Sequence, residues 1–176
     1  MLVHDTISPQ LAAMARRVAN PTPIVEAMGQ ELANITQRSF REPGMRAAPW
    51  VPLRPSTLAA KGGAGGILRG PSAVLARSWR VQATATKATV STDRPYAAHH
   101  QFGTRPYVIR PKNKKALRVP GVGHPIKKVN HPGLPARPML PLVGGSPATA
   151  RLAPFAERRI QRIGQRKLEA MLRSGM

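Results

Sequence analysis

The sequence predicts an α+β fold, an antiparallel sheet packed by an N-terminal helix and a C-terminal helix, with long loops and a basic hairpin arm. Apolar residues recur at helical spacing near both ends, while short β-favouring runs occupy the middle. A chain of 176 residues is long enough to bury one core, so we expect a single domain over residues 1–176. The 19 prolines and 15 glycines place much of that domain in loops.

Residues 1–41 predict two helices. Ser8-Pro9 and Thr22-Pro23 each resemble a helix N-cap followed by a proline in the first turn. After the second pair, apolar residues recur at helical spacing, at Val25, Met28, Leu32 and Ile35. This stripe is typical of a helix face that packs on a core.

The middle of the chain combines loops with strands. Residues 42–73 form a loop rich in proline and glycine, with one helical turn expected over residues 56–61. Residues 74–146 carry the sheet, whose first two strands are expected at 74–81 and 88–92. The basic arm spans residues 104–133. Within it, two apolar runs at 107–111 and 116–120 are expected to pair across the polar turn between them.

Residues 147–176 predict the C-terminal helix. One face of this segment is apolar, with Leu152, Phe155, Ala156, Ile160 and Ile163. The opposite face is basic, with Arg158, Arg159, Arg162, Arg166 and Lys167. The pattern predicts a helix that buries one face and presents charge on the other.

The charge balance predicts an anionic partner. The chain has 28 Lys and Arg against 7 Asp and Glu, a formal net charge of +21. Such a field attracts nucleic acid or acidic proteins. Aromatic residues are only 4% of the chain, so contact with nucleic acid would involve phosphates rather than stacked bases. The candidate contacts to DNA or to an acidic partner are Arg105, Arg110, Lys112, Lys114, Lys115, Arg118, Lys127 and Lys128.

The sequence favours no enzyme class. Only seven carboxylates are available, no G-x-S-x-G, H-E-x-x-H or Walker motif is present, and no cysteine exists for thiol chemistry. His99 and His100 are adjacent and would point to opposite faces of a strand. We therefore expect no enzymatic activity, no metal and no cofactor. Because no apolar run is long enough to span a bilayer, we expect an unprocessed, soluble chain with no membrane partner.

Four segments carry a recognisable order of motifs. They read PWVPLRPSTLAAK at residues 49–61, ILRGPSAVLARSW at 67–79, YAAHHQFG at 96–103 and LPARPML at 134–140. In this order they resemble the phage virion morphogenesis, or tail completion, family of Mu-like and related tailed phages. Two departures stand out, since the second segment lacks the family's second glycine and Met139 replaces the usual phenylalanine. The arm between residues 107 and 133 also resembles a related neck protein family.

The resemblance implies a structural virion protein that completes the tail and forms a ring at the head–tail junction. It implies a homo-oligomer, a hexamer or alternatively a twelve-fold ring on the head side. Other neck proteins, the tail tube protein and genomic DNA in the channel are the implied partners. The implied locations are the virion and, during assembly, the host cytoplasm. The station within the neck, a terminator on the tail side or a stopper on the head side, stays open.

The motif residues are candidates for subunit contacts or for the family's framework. They are Trp50, Leu53, Thr57, Lys61, Tyr96, His100, Gln101, Phe102, Gly103, Pro135, Arg137 and Pro138. Gly103 predicts a positive φ or a close backbone approach. Arg137 requires a carboxylate or several carbonyls, some of them in another subunit. Trp79 is expected in the core, whereas Trp50 packs either on its own sheet or on a neighbour.

One alternative uses the same charge. A basic nucleic-acid-binding protein that contacts phosphates without sequence specificity would also need a net charge of this size. No helix-turn-helix or RNA-recognition signature supports it. The order of the four motifs favours the virion protein.

Overall fold

A computed structural model describes residues 19–62, 66–70, 72–119, 123–144 and 148–173. Within these ranges the chain contains five α-helices, one 3-10 turn and three two-stranded antiparallel ladders. The predicted α+β class is confirmed, and the N-terminal helix packs on the C-terminal helix and on strands. The strands form separate ladders rather than one continuous sheet. The helix predicted after Ser8-Pro9 lies outside the described residues.

Helix α1 spans Thr22–Ser39, as its apolar stripe predicts. Thr22 is the first helical residue and not the predicted N-cap, because the Asn20 side chain two residues earlier accepts the N–H of Thr22 at 3.2 Å. Its apolar face packs on the C-terminal helix and on the first ladder. Gly29 permits the second contact, because a Cβ there would lie 2.7 Å from the Cβ of Ala88.

The loop after α1 has two short helical elements. A 3-10 turn covers Pro43–Met45, and helix α2 covers Pro55–Ala60, close to the turn predicted at 56–61. Helix α3, Val74–Arg77, replaces the beginning of the strand predicted at 74–81. The strand prediction is therefore wrong over residues 74–77. A strand would point successive side chains to opposite faces, whereas the helical turn places the Leu75 side chain in the core.

The first ladder pairs β1, Trp79–Ala83, with β2, Ala88–Thr92. Trp79 lies opposite Thr92 in this antiparallel register. The observed β2 has the predicted bounds. The buried Trp79, as expected, contributes to a core that also contains Phe40, Trp50, Leu75, Ala97 and Met139.

The second ladder forms the base of the basic arm. Strand β3, Tyr107–Ile109, pairs with β4, Val129–His131, and not with residues 116–120. The predicted hairpin is therefore wrong in its return strand. Tyr107 stacks on His131 with ring centroids 4.8 Å apart, a contact that favours the longer connection. Leu117 lies within that connection and forms a bridge with Ile126.

The third ladder precedes the last helix. Strand β5, Leu142–Val143, pairs with β6, Arg151–Leu152, and helix α5 runs over Pro154–Arg173. The predicted helix start at residue 147 is wrong, because the N–H of Ala153 donates to the carbonyl of Pro141 at 2.8 Å. Residues 151–152 are thereby extended, and the helix begins at proline. A second core joins α1 to α5 around Ile35, Ala156 and Ile160.

Candidate functional site

Helix α4, Ala97–Phe102, positions the glutamine of the YAAHHQFG motif. Gln101 is buried, and its Oε1 accepts the N–H groups of Met139 at 2.8 Å and Leu140 at 3.0 Å. One side chain therefore satisfies two backbone donors that would otherwise be buried without partners. This contact joins the third motif segment to the fourth.

Gly103 makes a second link between the same segments. Its φ of +75° and ψ of −179° lie in a region that is essentially restricted to glycine. A Cβ at this position would lie 2.8 Å from the carbonyl oxygen of Leu134. Both features predicted for Gly103, positive φ and close approach, are confirmed. Next to it, the N–H of Thr104 donates to the Leu134 carbonyl at 2.9 Å, and the Thr104 hydroxyl accepts the N–H of Leu134 at 2.8 Å.

Arg137 connects the fourth segment to the first. Its Nε donates to the carbonyl of Val51 at 2.9 Å, and its Nη2 donates to that of Pro52 at 3.2 Å. Its backbone N–H donates to the carbonyl of His100 at 2.7 Å. The expected carbonyl partners are present within this chain, and burial lowers the pKa of the guanidinium.

Trp50 is part of the chain's own core. It is 6% exposed, its Nε1 donates to the Pro138 carbonyl at 2.7 Å, and its ring meets Phe40 edge-on at 5.8 Å. The guanidinium of Arg46 lies 4.0 Å from the centre of the ring. Of the two expected positions, the structure shows the one inside the subunit. We call segments 49–61, 96–103 and 134–140 the motif scaffold, because these contacts hold them together.

Lys61 bonds to backbone carbonyls in the second motif segment and just before it. Its Nζ donates to the carbonyl of Gly66 at 3.0 Å and to that of Arg69 at 2.9 Å. An ammonium has three donors and no acceptor, so it suits convergent carbonyls of this kind. The structural role explains a lysine at the end of the first motif segment.

A surface groove of about 720 Å³ lies between the first and fourth motif segments. Six of the predicted motif residues line it, namely Leu53, Thr57, Lys61, His100, Pro135 and Arg137. The Nδ1 of His100 is buried and has no hydrogen-bond partner among the described residues. Burial, followed by the charges of Arg137 and His99, lowers the pKa of His100.

The remaining motif residues are divided between interior and surface. The carbonyl of Pro138 accepts the Trp50 bond, whereas Tyr96 and Phe102 are exposed. The Tyr96 ring meets His100 edge-on, with centroids 6.1 Å apart. The motif thus combines an internal framework with two aromatic side chains available for contact.

The eight basic candidates of the arm take no part in these contacts. All of them are exposed, and none has a hydrogen bond or ion pair with another described residue. Exposed neighbours on β3, Tyr107 and Val108, add an apolar surface. The arm therefore combines unpaired positive charge with apolar side chains.

Two structural contacts were missed from the sequence. The hydroxyl of Thr104 accepts the N–H of Leu134. The position of Thr104 directly after the motif glycine could have indicated this contact. Glu31 is buried and paired with Arg159 of α5. Its signal was an acid between Met28 and Ile35, on the apolar face of a predicted helix.

The described residues contain no cluster of three His, Asp or Glu side chains that could hold a metal ion. None of the helices in the described ranges combines the length and apolarity needed to cross a bilayer. The polar groups of the motif scaffold are engaged mainly with backbone carbonyls and amides. Fold and site together define a small, basic α+β protein in which side-chain hydrogen bonds to the backbone connect the segments of the motif scaffold.

The model of the phage virion morphogenesis family matches residues 3–167, nearly the whole chain. This protein belongs to that family, and it is a bacteriophage protein of virion morphogenesis. Searches of curated proteins and of solved structures returned no match.

Proposed function

We propose that this protein completes the phage tail and forms a closed ring of identical subunits at the head–tail junction. In this proposal it acts as a structural part of the neck and has no catalytic role. Family membership supports a virion role, and the arm supports assembly with neighbours. The closed ring of identical subunits is the part that we infer.

The observation that carries the proposal is the exposed apolar surface on the ladder of the arm. Among the described elements, β3 and β4 make extensive contact only with each other. Tyr107 and Val108 are 44% and 51% exposed, although both belong to a ladder strand. Apolar groups exposed on a ladder are typical of a surface that another protein covers.

A ring needs two different surfaces that meet head to tail. The arm supplies one of them. A second apolar surface is available on the first motif segment, where Val51 and Leu58 are 49% and 46% exposed. Contact between the arm of one subunit and this segment of the next would repeat around an axis. A hexamer is the proposed order, with a twelve-fold ring as the alternative.

The proposed neighbours are other neck proteins and the tail tube protein. The charges of the basic arm face either DNA in the channel or an acidic protein of the next ring. An acidic neighbour is favoured, because strong attraction to DNA around a whole ring would slow its passage.

Native mass measurement of the purified protein, alone and with tail tubes, tests the ring. The expected result is a single closed oligomer. Val108→Ser should shift the mass towards monomer, because it removes an exposed apolar contact of the arm. Val74→Ser is the matched control, since Val74 is also exposed but lies on α3.

A wild-type protein that remains a monomer or a two-fold dimer in both samples would refute the ring. If both valine variants lose assembly equally, the arm is not the contact. Binding of duplex DNA by a monomer, without association with tail tubes, would favour the nucleic-acid-binding alternative.

A further inference from the structure

A second pocket, which shares only Arg69 with the lining of the motif groove, is bordered by α1, α3 and α5. It has a volume of about 440 Å³. Seven charged side chains line it, the arginines Arg38, Arg41, Arg69, Arg77 and Arg159 and the glutamates Glu31 and Glu42. Five positive charges against two negative ones leave it with a formal charge of +3.

Two of these arginines already hold carboxylates. Arg38 donates from Nε and Nη2 to Glu42, at 2.9 Å to Oε1 and 2.7 Å to Oε2. Arg159 makes an ion pair with the buried Glu31. The paired guanidinium also lowers the pKa of Glu42. The pocket thus contains two examples of arginine–carboxylate pairing.

The other three arginines have no such partner. Arg41, Arg69 and Arg77 make no side-chain hydrogen bond or ion pair with the described residues. Like charges around one pocket repel, so an anion that enters it is attracted by all three. The fork of each guanidinium matches a carboxylate as well as it does in the two existing pairs.

The lining of the pocket favours a protein ligand. The half-buried Ala73 and Ala76 add apolar surface to it, and the buried Phe40 is also among the lining residues. A short peptide can place carboxylates on the arginines and its aliphatic carbons on this surface. The two arginine–carboxylate pairs already present show that carboxylates fit this pocket, and a peptide supplies carboxylates whereas a DNA duplex does not.

The carboxylates would have to come from another protein. This chain has only seven acids. Glu31 and Glu42 are paired inside the pocket, and Asp93 pairs with Arg80 and Arg94. The other acids among the described residues, Glu26, Glu157 and Glu169, are spread over α1 and α5, so a second copy offers no short run of carboxylates, whereas an acidic segment does.

We propose that the pocket bounded by Arg41, Arg69 and Arg77 binds an acidic segment of a partner protein. Two or three Asp or Glu side chains of that segment pair with the free guanidiniums. This site is separate from the basic arm. It does not depend on ring formation, because all of its lining residues belong to one subunit.

The test uses a synthetic ten-residue peptide that alternates Glu and Ala, and the matching Gln and Ala peptide. Binding is measured by fluorescence anisotropy with the full-length protein. A triple variant, Arg41→Gln, Arg69→Gln and Arg77→Gln, should weaken binding of the acidic peptide by about tenfold or more. The control is the triple variant Lys112→Gln, Lys114→Gln and Lys115→Gln, which removes the same charge and should change affinity by about twofold or less.

Amide chemical shifts supply an independent readout on the wild-type protein. The acidic peptide should shift the amides of Ala73, Ala76 and Arg77, which border the pocket, and leave those of the arm unchanged. Equal weakening by the two triple variants would show attraction to net charge alone and would overturn the proposal. So would peptide shifts confined to the arm, or a 20-base-pair duplex that displaces the peptide from the pocket.

Discussion

The motif scaffold and the basic arm differ in where their polar groups find partners. In the scaffold, Gln101, Arg137 and Trp50 all bond to backbone groups of the same chain. In the arm, the eight basic side chains are exposed and unpaired among the described residues. The comparison shows that the motif residues connect segments of one chain, whereas the basic side chains of the arm remain available for contacts with another molecule.

The largest expected effect is a difference in the free energy of unfolding between two glycine variants, one in the motif scaffold and one in the arm. Gly103→Ala should lower the free energy of unfolding by roughly 3 kcal/mol, because the backbone there suits only glycine. Gly123→Ala in the arm is the control, since no atom lies within 4 Å of a Cβ built at that position. Chemical denaturation of both variants measures the difference. Equal stabilities would contradict the division into scaffold and arm.

The next effect concerns the glutamine that bridges two motif segments. Gln101→Leu should destabilise the fold by about 2 kcal/mol, because the amides of Met139 and Leu140 lose their acceptor in the core. Gln165→Leu is a suitable control, since that amide is exposed on α5 and bonds only to Glu169. Urea denaturation compares the two. If Gln101→Leu lowers the free energy of unfolding no more than Gln165→Leu does, the Gln101 hydrogen bonds do not stabilise the motif scaffold.

A smaller effect depends on pH. The pKa of His100 is below its ordinary value of 6.5 in the folded protein, so the unfolded chain binds the proton more readily. The free energy of unfolding should therefore fall as the pH decreases through 6.5. His100→Asn should reduce this fall in thermal melts at pH 7.5 and pH 5.5, whereas His124→Asn on the arm serves as the exposed control. An unchanged pH profile in His100→Asn would contradict the role of its burial.

The smallest stability effect belongs to the arm. Replacing Lys112, Lys114 and Lys115 by Gln should change the free energy of unfolding by less than about 0.5 kcal/mol, since these side chains are exposed. The assembly of particles should change more than this stability. Joining of heads to tails and retention of DNA in joined particles are scored separately.

Loss of joining in that variant would support an acidic protein partner for the arm. Joined particles that leak DNA would support a channel-facing arm instead. If joining and DNA retention both remain normal, these lysines have neither role. Salt dependence alone would not separate the two, because salt weakens both kinds of contact.

The sequence determined the elements whose signals are local. The apolar stripe and the proline at position 23 predicted α1, the β-favouring run predicted β2, and Gly103 predicted its own backbone conformation. Caps, helical spacing and the steric freedom of glycine act within a few residues, so one sequence is enough to recognise them. The charge of the arm was equally visible from composition.

Only the tertiary structure decided the pairings between distant segments. The arm's return strand lies at Val129–His131 because Tyr107 stacks on His131, and α5 begins after the bond between Ala153 and Pro141. The carbonyl partners of Arg137 come from residues 51 and 52, far away along the chain. Such contacts depend on which segments the folded core brings together, and the local pattern of residues contains no record of that choice.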